Sequence, residues 1–262
     1  MEDIVELFVK ENKSVSELAK SFHCSRDKVR KILNQNGIET NIKRNQFSTT
    51  IKMDETLFNE INSEETAYWL GFLYADGNIR KNRNEVSLTL QEKDLVTLQN
   101  FHKFCKNNNN ILRHSLCKNG KMYVSYTSSF SSQSIKNNLI NLGCVPVKSM
   151  TLTFPTKEQV PNQFLNHFIR GYIDGDGYIQ YDLSKSRYRI IILGTYNFLS
   201  GLLDRTGWTV GSKIYQSKNE KIFRLELSQK QLVKDRLELI YGNSNIYLPR
   251  KYAIYELTKL GA

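Results

Sequence analysis

Apolar positions along the chain recur with two different spacings, and the order in which those spacings appear divides the sequence. Over residues 2–36 they return every three or four residues in short runs, the spacing of small amphipathic helices. Val15, Leu18, Ala19 and Phe22 form one run, His23 and Cys24 interrupt it, and Ser25 stands as an N-cap before Val29, Ile32 and Leu33. Residues 37–60 lose the pattern and read as a polar connector. Beyond it, helical and alternating segments follow one another in a fixed order, twice. The first series is TAYWLGFLYADGNI, EVSLTLQ, LVTLQNFHKFCK, a hairpin around KNGK and IKNNLINLG; the second is NHFIRGYIDGDGYI, IQYDLSKSRYRIIILG, FLSGLLDRTGW, a hairpin around SKNEK and VKDRLELIYG. Each series predicts helix, two strands, helix, two strands, helix, so the fold class is α+β with an internal repeat. The expected organisation is an all-α domain over 1–40, a linker over 41–60, repeat 1 over 61–150, an inter-repeat linker over 151–162 and repeat 2 over 163–262.

The segment SVSELAKSFHCSRDKVRKIL resembles a helix-turn-helix DNA-binding module. Ala19 is small where two helices cross, Val29 and Ile32 are apolar on the second helix, and His23 tolerates the positive φ that the turn demands. Charge separates the two sides of this module. Residues 20–44 hold Lys20, Arg26, Lys28, Arg30, Lys31, Lys43 and Arg44 against Asp27 and Glu39, so the second helix is the side expected to face phosphate. The whole chain agrees: 37 Lys plus Arg against 26 Asp plus Glu give a formal charge of +11 in 262 residues, which favours a polyanionic partner. No stretch reaches the ~20 apolar residues of a membrane span. The charged start MEDIVELFVKENK does not read as a signal peptide, and the four scattered cysteines fit a reducing, intracellular setting. His102, Cys105, His114 and Cys117 have a zinc-like spacing, but an offset of three along a strand sends His114 and Cys117 to opposite faces, so zinc is not expected.

The repeat carries the chemistry. With an offset of 100, Gly71 aligns with Gly171, Ala75 with Gly175, Asp76 with Asp176 and Gly77 with Gly177. Small residues at i and i+4 leave one helix face bare, so two such helices can pack backbone to backbone. A pseudo-twofold pairing brings Asp76 and Asp176 together at two negative helix ends, where hard cations relieve the repulsion. Divalent metal between such acids can activate water and clamp a phosphodiester.

WLGFLYADG and IRGYIDGDG resemble the two motifs of a single-chain LAGLIDADG homing endonuclease, over roughly residues 60–258. The resemblance implies two αββαββα repeats forming a saddle of antiparallel sheets over DNA. It implies Asp76 and Asp176 as catalytic acids binding Mg2+, helped by the backbone carbonyls of Ala75 and Gly175. Mn2+ is expected to substitute, and Ca2+ to support binding without cutting. At the sixth motif position the first copy departs, with Tyr74 opposite Asp174. Basic residues at the end of each repeat, Lys148 and Arg250–Lys251, are implied near the centre; Lys148 and Lys251 are the candidates for polarising water or stabilising phosphate charge. Asp94 and Asn197 are weaker candidates for positioning water.

Alternating strand residues supply the expected DNA contacts. They are Arg80, Arg83, Ser87, Thr89, Gln91, Arg113, Lys118, Lys121 and Tyr123 in repeat 1, and Gln180, Tyr181, Lys185, Arg187, Arg189, Lys213, Tyr215, Gln216, Lys218 and Arg224 in repeat 2. The expected protein is a monomeric nuclease making a double-strand break in a long, imperfectly palindromic duplex, with short 3' overhangs implied by the resemblance, as in intron homing by a mobile element. Its Lys-, Asn- and Ile-rich composition suggests an AT-rich phage or organelle genome. A non-catalytic transcriptional regulator and an intron RNA maturase are the competing readings.

Overall fold

The computed structural model describes residues 2–9, 11, 13–38, 53–182, 187–216 and 222–259. The chain divides into two compact units, 1–50 and 51–262. In the first unit, α1 (Glu2–Val9), α2 (Val15–Ser21) and α3 (Arg26–Gln35) enclose Ile4, Leu18, Ala19, Val29 and Leu33. Ser14 caps α2 in a reciprocal box with Glu17, and Ser25 accepts the Lys28 amide at 3.2 Å to start α3. Each such cap stabilises by ~1 kcal/mol. His23 holds φ 45° in the turn between α2 and α3.

In the second unit each repeat opens on a motif helix: α4 (Glu64–Asp76) and α7 (Leu165–Asp176). Repeat 1 continues with β1 (Gly77–Ile79), β2 (Glu85–Gln91), α5 (Leu95–Phe104), β3 (Leu112–Lys118), β4 (Lys121–Ser131) and α6 (Gln133–Asn141). Repeat 2 continues with β5 (Gly177–Asp182), β6 (Arg187–Gly194), α8 (Tyr196–Thr206), β7 (Ser212–Gln216), β8 (Phe223–Leu227), α9 (Lys230–Tyr241) and α10 (Pro249–Lys259). The strands form two antiparallel four-stranded sheets of identical order, β1-β2-β4-β3 and β5-β6-β8-β7. The expected α+β duplication is therefore present, with α10 as an addition. Pro249 suits the first position of that helix, but its buried face consists of Lys251, Tyr255 and Thr258, so hydrophobic periodicity gives almost no sign of it.

Described parts of both expected linkers pack against the repeats. Within 53–60, Phe58 is buried, Ser134 Oγ donates to the Glu55 carbonyl at 2.9 Å, and Asn138 Nδ2 donates to the Leu57 carbonyl at 3.0 Å, so this stretch packs on repeat 1. Between the repeats, Leu152, Phe154 and Val160 are buried and Thr195 Oγ1 donates to the Leu152 carbonyl. In both stretches a few buried apolar side chains outweigh the polar residues around them.

The motif helices form the centre of the core. Ala67 through Tyr74 and Phe168 through Asp174 are buried without interruption, the condition of a helix surrounded by protein. Their contact is tight because of two glycines. A Cβ on Gly71 would meet the Phe168 carbonyl and stand 2.9 Å from the Tyr172 nitrogen; one on Gly171 would meet the Tyr68 carbonyl and stand 3.0 Å from the Phe72 nitrogen. These two sets of contacts are the same set displaced by 100 residues, which is the pseudo-twofold axis expressed atom by atom.

Candidate active site

Both motif helices end against each other. A Cβ on Gly175 would collide with the Ala75 methyl and lie 3.3 Å from Asp76 Oδ2, so the pair accommodates one methyl at this position and not two. Asp76 is exposed and Asp176 half-exposed, immediately before Gly77 and Gly177 lead the chain into β1 and β5. Protein mass beneath Asp76 pushes its pKa up to about 6, with repulsion from Asp176 adding to the effect and Lys148 and Lys251 opposing it. Burial likewise raises Asp176, against the pull of the same two lysines. The carboxylates thus interact, as the aligned glycines require.

Two lysines offset the negative helix ends. Lys148 Nζ donates to the carbonyls of Ala75 at 3.0 Å and Gly77 at 2.7 Å. Lys251, only 3% exposed, donates to the carbonyls of Ile173 at 2.5 Å, Asp174 at 2.8 Å and Gly177 at 2.6 Å. Ala75, Ile173 and Asp174 lie in the last turns of the motif helices and Gly77 and Gly177 open the strands that follow, so both lysines place cations against the macrodipole. Of the two expected roles, polarising water and stabilising phosphate charge, the contacts leave each lysine a different share. An ammonium has three N–H donors; Lys251 has committed all three and acts on the site through its charge, whereas Lys148 retains one. Burial and the neighbouring Arg250 push Lys251 down to about 8, while the nearby carboxylates hold it up.

Asp94, one of the two residues expected to position water, carries an ion pair with Arg250. They pair with each other across the repeats, Arg250 Nε at 3.0 Å from Asp94 Oδ1 and Nη2 at 3.2 Å from Oδ2. Asn197 is exposed on α8. At the sixth motif position, Tyr74 and Asp174 are both buried; the Tyr74 hydroxyl donates to the Leu142 carbonyl while its ring packs on Phe168, and the Asp174 carboxylate accepts from the Leu248 amide and from the Tyr68 hydroxyl of the other motif helix.

Strand register decides which residues share the open face of each sheet, opposite the helices. In repeat 1 that face presents Asn78, Ser87 and Ser129 in one row, then Thr89, Thr127 and Leu112, then Gln91, Ser125 and His114, and finally Tyr123 with Leu116 and Lys121 with Lys118. Arg80 and Arg83 lie exposed in the β1–β2 connection. Ser87 is on the right face but only 7% exposed, with Asn78 Nδ2 3.4 Å from its hydroxyl. Arg113 pairs with Tyr126, which pairs with Leu90, so it shares the face turned to the helices, although it is exposed on the edge strand β3. In repeat 2 the open face carries Gln180, Arg187, Arg189, Lys213, Tyr215 and Arg224. Tyr181 instead stacks on Tyr188 with centroids 4.4 Å apart, and Gln216 pairs with Phe223 on the core side. The same face also carries Tyr178, Asp182, Ile191, Leu193 and Glu226, none of them expected from the sequence. Tyr178 is exposed beside Ile191, and Glu226 holds Arg189 at 3.0 Å with Arg224 at 4.0 Å; the alternation in FRLEL already puts Glu226 with Arg224. Lys43, Arg44, Lys185 and Lys218 lie outside the described residues.

In the first unit Arg26, Lys28, Arg30 and Lys31 are all exposed on α3, and Arg30 contacts Asp27 at 2.9 Å. Among the described residues no helix is long and apolar enough to cross a membrane. None of their His, Cys, Asp and Glu side chains gather in threes; His114 and Cys117 occupy opposite faces of β3. The donor set at the helix ends is therefore two carboxylates with neighbouring carbonyls, hard oxygens that fit Mg2+, an ion commonly held by one or two carboxylates and completed by water and phosphate.

No protein-family model matches the chain, and no curated protein matches it by sequence. Solved structures do match. The homing endonuclease I-WcaI bound to its DNA recognition sequence is 13% identical, with 82% of this chain and 92% of that one covered and a TM-score of 0.51. The I-LtrWI LAGLIDADG homing endonuclease bound to target DNA is 11% identical, with 79% and 90% covered and a TM-score of 0.49. At 13% identity the likeness to I-WcaI is one of fold alone.

Proposed function

We propose that this chain, which has the fold of the LAGLIDADG homing endonucleases, is a site-specific DNA endonuclease that cuts both strands of a long duplex in the presence of Mg2+. One observation carries the reading: glycine-packed helix ends deliver two interacting carboxylates, Asp76 and Asp176, to one point between two sheets with polar, basic open faces. A protein that only binds DNA gains nothing from two acids held where they repel phosphate.

Asp76 and Asp176 would hold the cation, with the Gly175 carbonyl and the remaining lone pair of the Ala75 carbonyl as further oxygens. Bound there, the metal supplies an activated water and charge neutralisation at the scissile phosphate. Lys148 and Lys251 fix the helix ends and supply positive charge; the third N–H of Lys148 is the donor available to water or phosphate. Mn2+ should replace Mg2+, and Ca2+ should support binding alone. The open faces read the duplex through Thr89, Gln91, Lys121 and Tyr123 on one side and Gln180, Arg187, Arg189, Lys213, Tyr215 and Arg224 on the other. Because the two halves differ, the target is asymmetric. One chain carries both acids, so a monomer suffices. The first unit adds a helix-turn-helix whose α3 presents Arg26, Lys28, Arg30 and Lys31 to a neighbouring groove.

Selection of cut molecules from a randomised duplex library in Mg2+ tests this reading. Recovery of one long, asymmetric site cut on both strands supports it. Preferential binding of folded RNA without any cut duplex would point to the splicing role instead.

A further inference from the structure

The sixth position of each motif contains different residues, Tyr74 and Asp174, yet both reach the segment that brings a lysine to the site. In repeat 1, Tyr74 Oη donates to the Leu142 carbonyl at 2.5 Å, just where α6 ends. The chain then turns through Gly143 at φ 89°, where a Cβ would meet that same hydroxyl, and through Val147 at φ 59°, which directly precedes Lys148. In repeat 2, Asp174 Oδ2 accepts the Leu248 amide at 2.7 Å, just where α10 begins, and the amides of Lys251 and Tyr252 in turn donate to the Leu248 carbonyl at 2.9 and 3.0 Å. Tyr68 and Tyr241 hydroxyls hold the Asp174 carboxylate at 3.0 and 2.5 Å.

We infer that Tyr74 and Asp174 are positioning residues, each fixing the start of the segment that carries the lysine of its own repeat, Lys148 or Lys251. The two bonds have opposite polarity. A hydroxyl donor meets a carbonyl in repeat 1, and a carboxylate acceptor meets an amide in repeat 2. An aspartate at 74 would be too short to reach the Leu142 carbonyl and, ionised, could not donate to it, so the tyrosine hydroxyl makes a contact that an acid at this position could not. Neither side chain touches the reacting centre. Their effect on cleavage rests on the nuclease reading, but their effect on the lysines does not.

Amine acylation of the full chain, read by mass spectrometry, measures how firmly each lysine is held. Tyr74→Phe should raise labelling of Lys148 about fivefold, the equivalent of one lost hydrogen bond of ~1 kcal/mol, and leave Lys251 unchanged; Asp174→Asn should do the reverse. Removing a single oxygen from Tyr74 keeps the test decisive if Asp174→Asn fails to fold. Under single turnover, Tyr74→Phe should slow cleavage in the parent yet cost nothing more in Lys148→Met, because the two lesions act through one group. Unchanged labelling of Lys148 in Tyr74→Phe, or losses that multiply in the double variant, would overturn the inference. A parent that does not cut would remove the nuclease reading, and labelling alone would then decide the positioning role.

Discussion

Gly171→Ala tests the helix pair on which everything else depends. The added methyl would stand 2.9 Å from the Tyr68 carbonyl carbon and 3.0 Å from the Phe72 nitrogen, with the carbonyl oxygen nearer still. All three are backbone atoms, so no side-chain rotation relieves the clash. Restoring ordinary contact at 3.4 Å demands at least 3.4 − 2.9 = 0.5 Å of separation between α4 and α7. Overpacking of this kind costs ~1–3 kcal/mol, and the oxygen contact puts this site near the top of that range. Against it stands the helix-propensity gain of Gly→Ala, about 1 kcal/mol. The net expectation is a loss of ~2 kcal/mol, or a melting temperature lower by roughly 4–8 °C for a unit of this size. Moving the carboxylates apart should slow single-turnover cleavage by about 10- to 100-fold. Chemical denaturation and cleavage of the same preparation give both numbers. Gly71→Ala should behave alike, and the double variant should lose less than the sum, since the first methyl already parts the helices. A Gly171→Ala protein that gains stability and cuts normally would refute the backbone contact and, with it, the placement of the acids.

The acids themselves predict a pH effect in metal-free protein. Asp76 has a folded pKa of about 6, above its unfolded value, so the folded state binds the extra proton and stability should fall as pH rises from about 4 through 6; melts in EDTA should show Asp76→Asn stabilised relative to the parent at pH 7 and not at pH 4. Glu226→Gln should release Arg189 and Arg224 to phosphate, which would appear as tighter binding with a steeper salt dependence; an unchanged slope in a binding titration would show that the pair does not face DNA. Deleting residues 1–50, a unit with its own core, should weaken affinity while the cut position stays fixed on a sequencing gel.

How far the sequence discloses this arrangement depends on the range of the interaction involved. Gly71, Ala75 and Asp76 have counterparts of like size or charge 100 residues later, and a repeated stripe of small residues has few physical uses, so the helix pair is legible in the amino acids alone. Alternation in EVSLTLQ and RYRIIILG likewise marks β2 and β6. Faces are harder. Neighbours on a strand point to opposite sides, so Gln180 with Tyr181, or Tyr215 with Gln216, can never both face the target; register resolves them as Gln180 and Tyr215. Arg113 shares the face turned to the helices because of its pairing with Tyr126, which nothing in its own strand reveals. The position of the lysines after each repeat points to them, but their donors are spent on carbonyls 71 to 78 residues away in sequence, and no local pattern announces that. The exchange of Tyr74 for Asp174, which resembles an erosion of the motif, answers a carbonyl in one repeat and an amide in the other.

Cleavage of DNA should require Asp76 and Asp176 together. The most direct test is a cleavage assay on the selected duplex with the parent, Asp76→Asn and Asp176→Asn, each in Mg2+ and in EDTA, with binding measured alongside in Ca2+. The parent should make a double-strand break in Mg2+ and not in EDTA, neither variant should cut, and DNA affinity should be preserved in all three. Undiminished cleavage by either variant, or firm binding without any cut by the parent in Mg2+, would contradict this expectation.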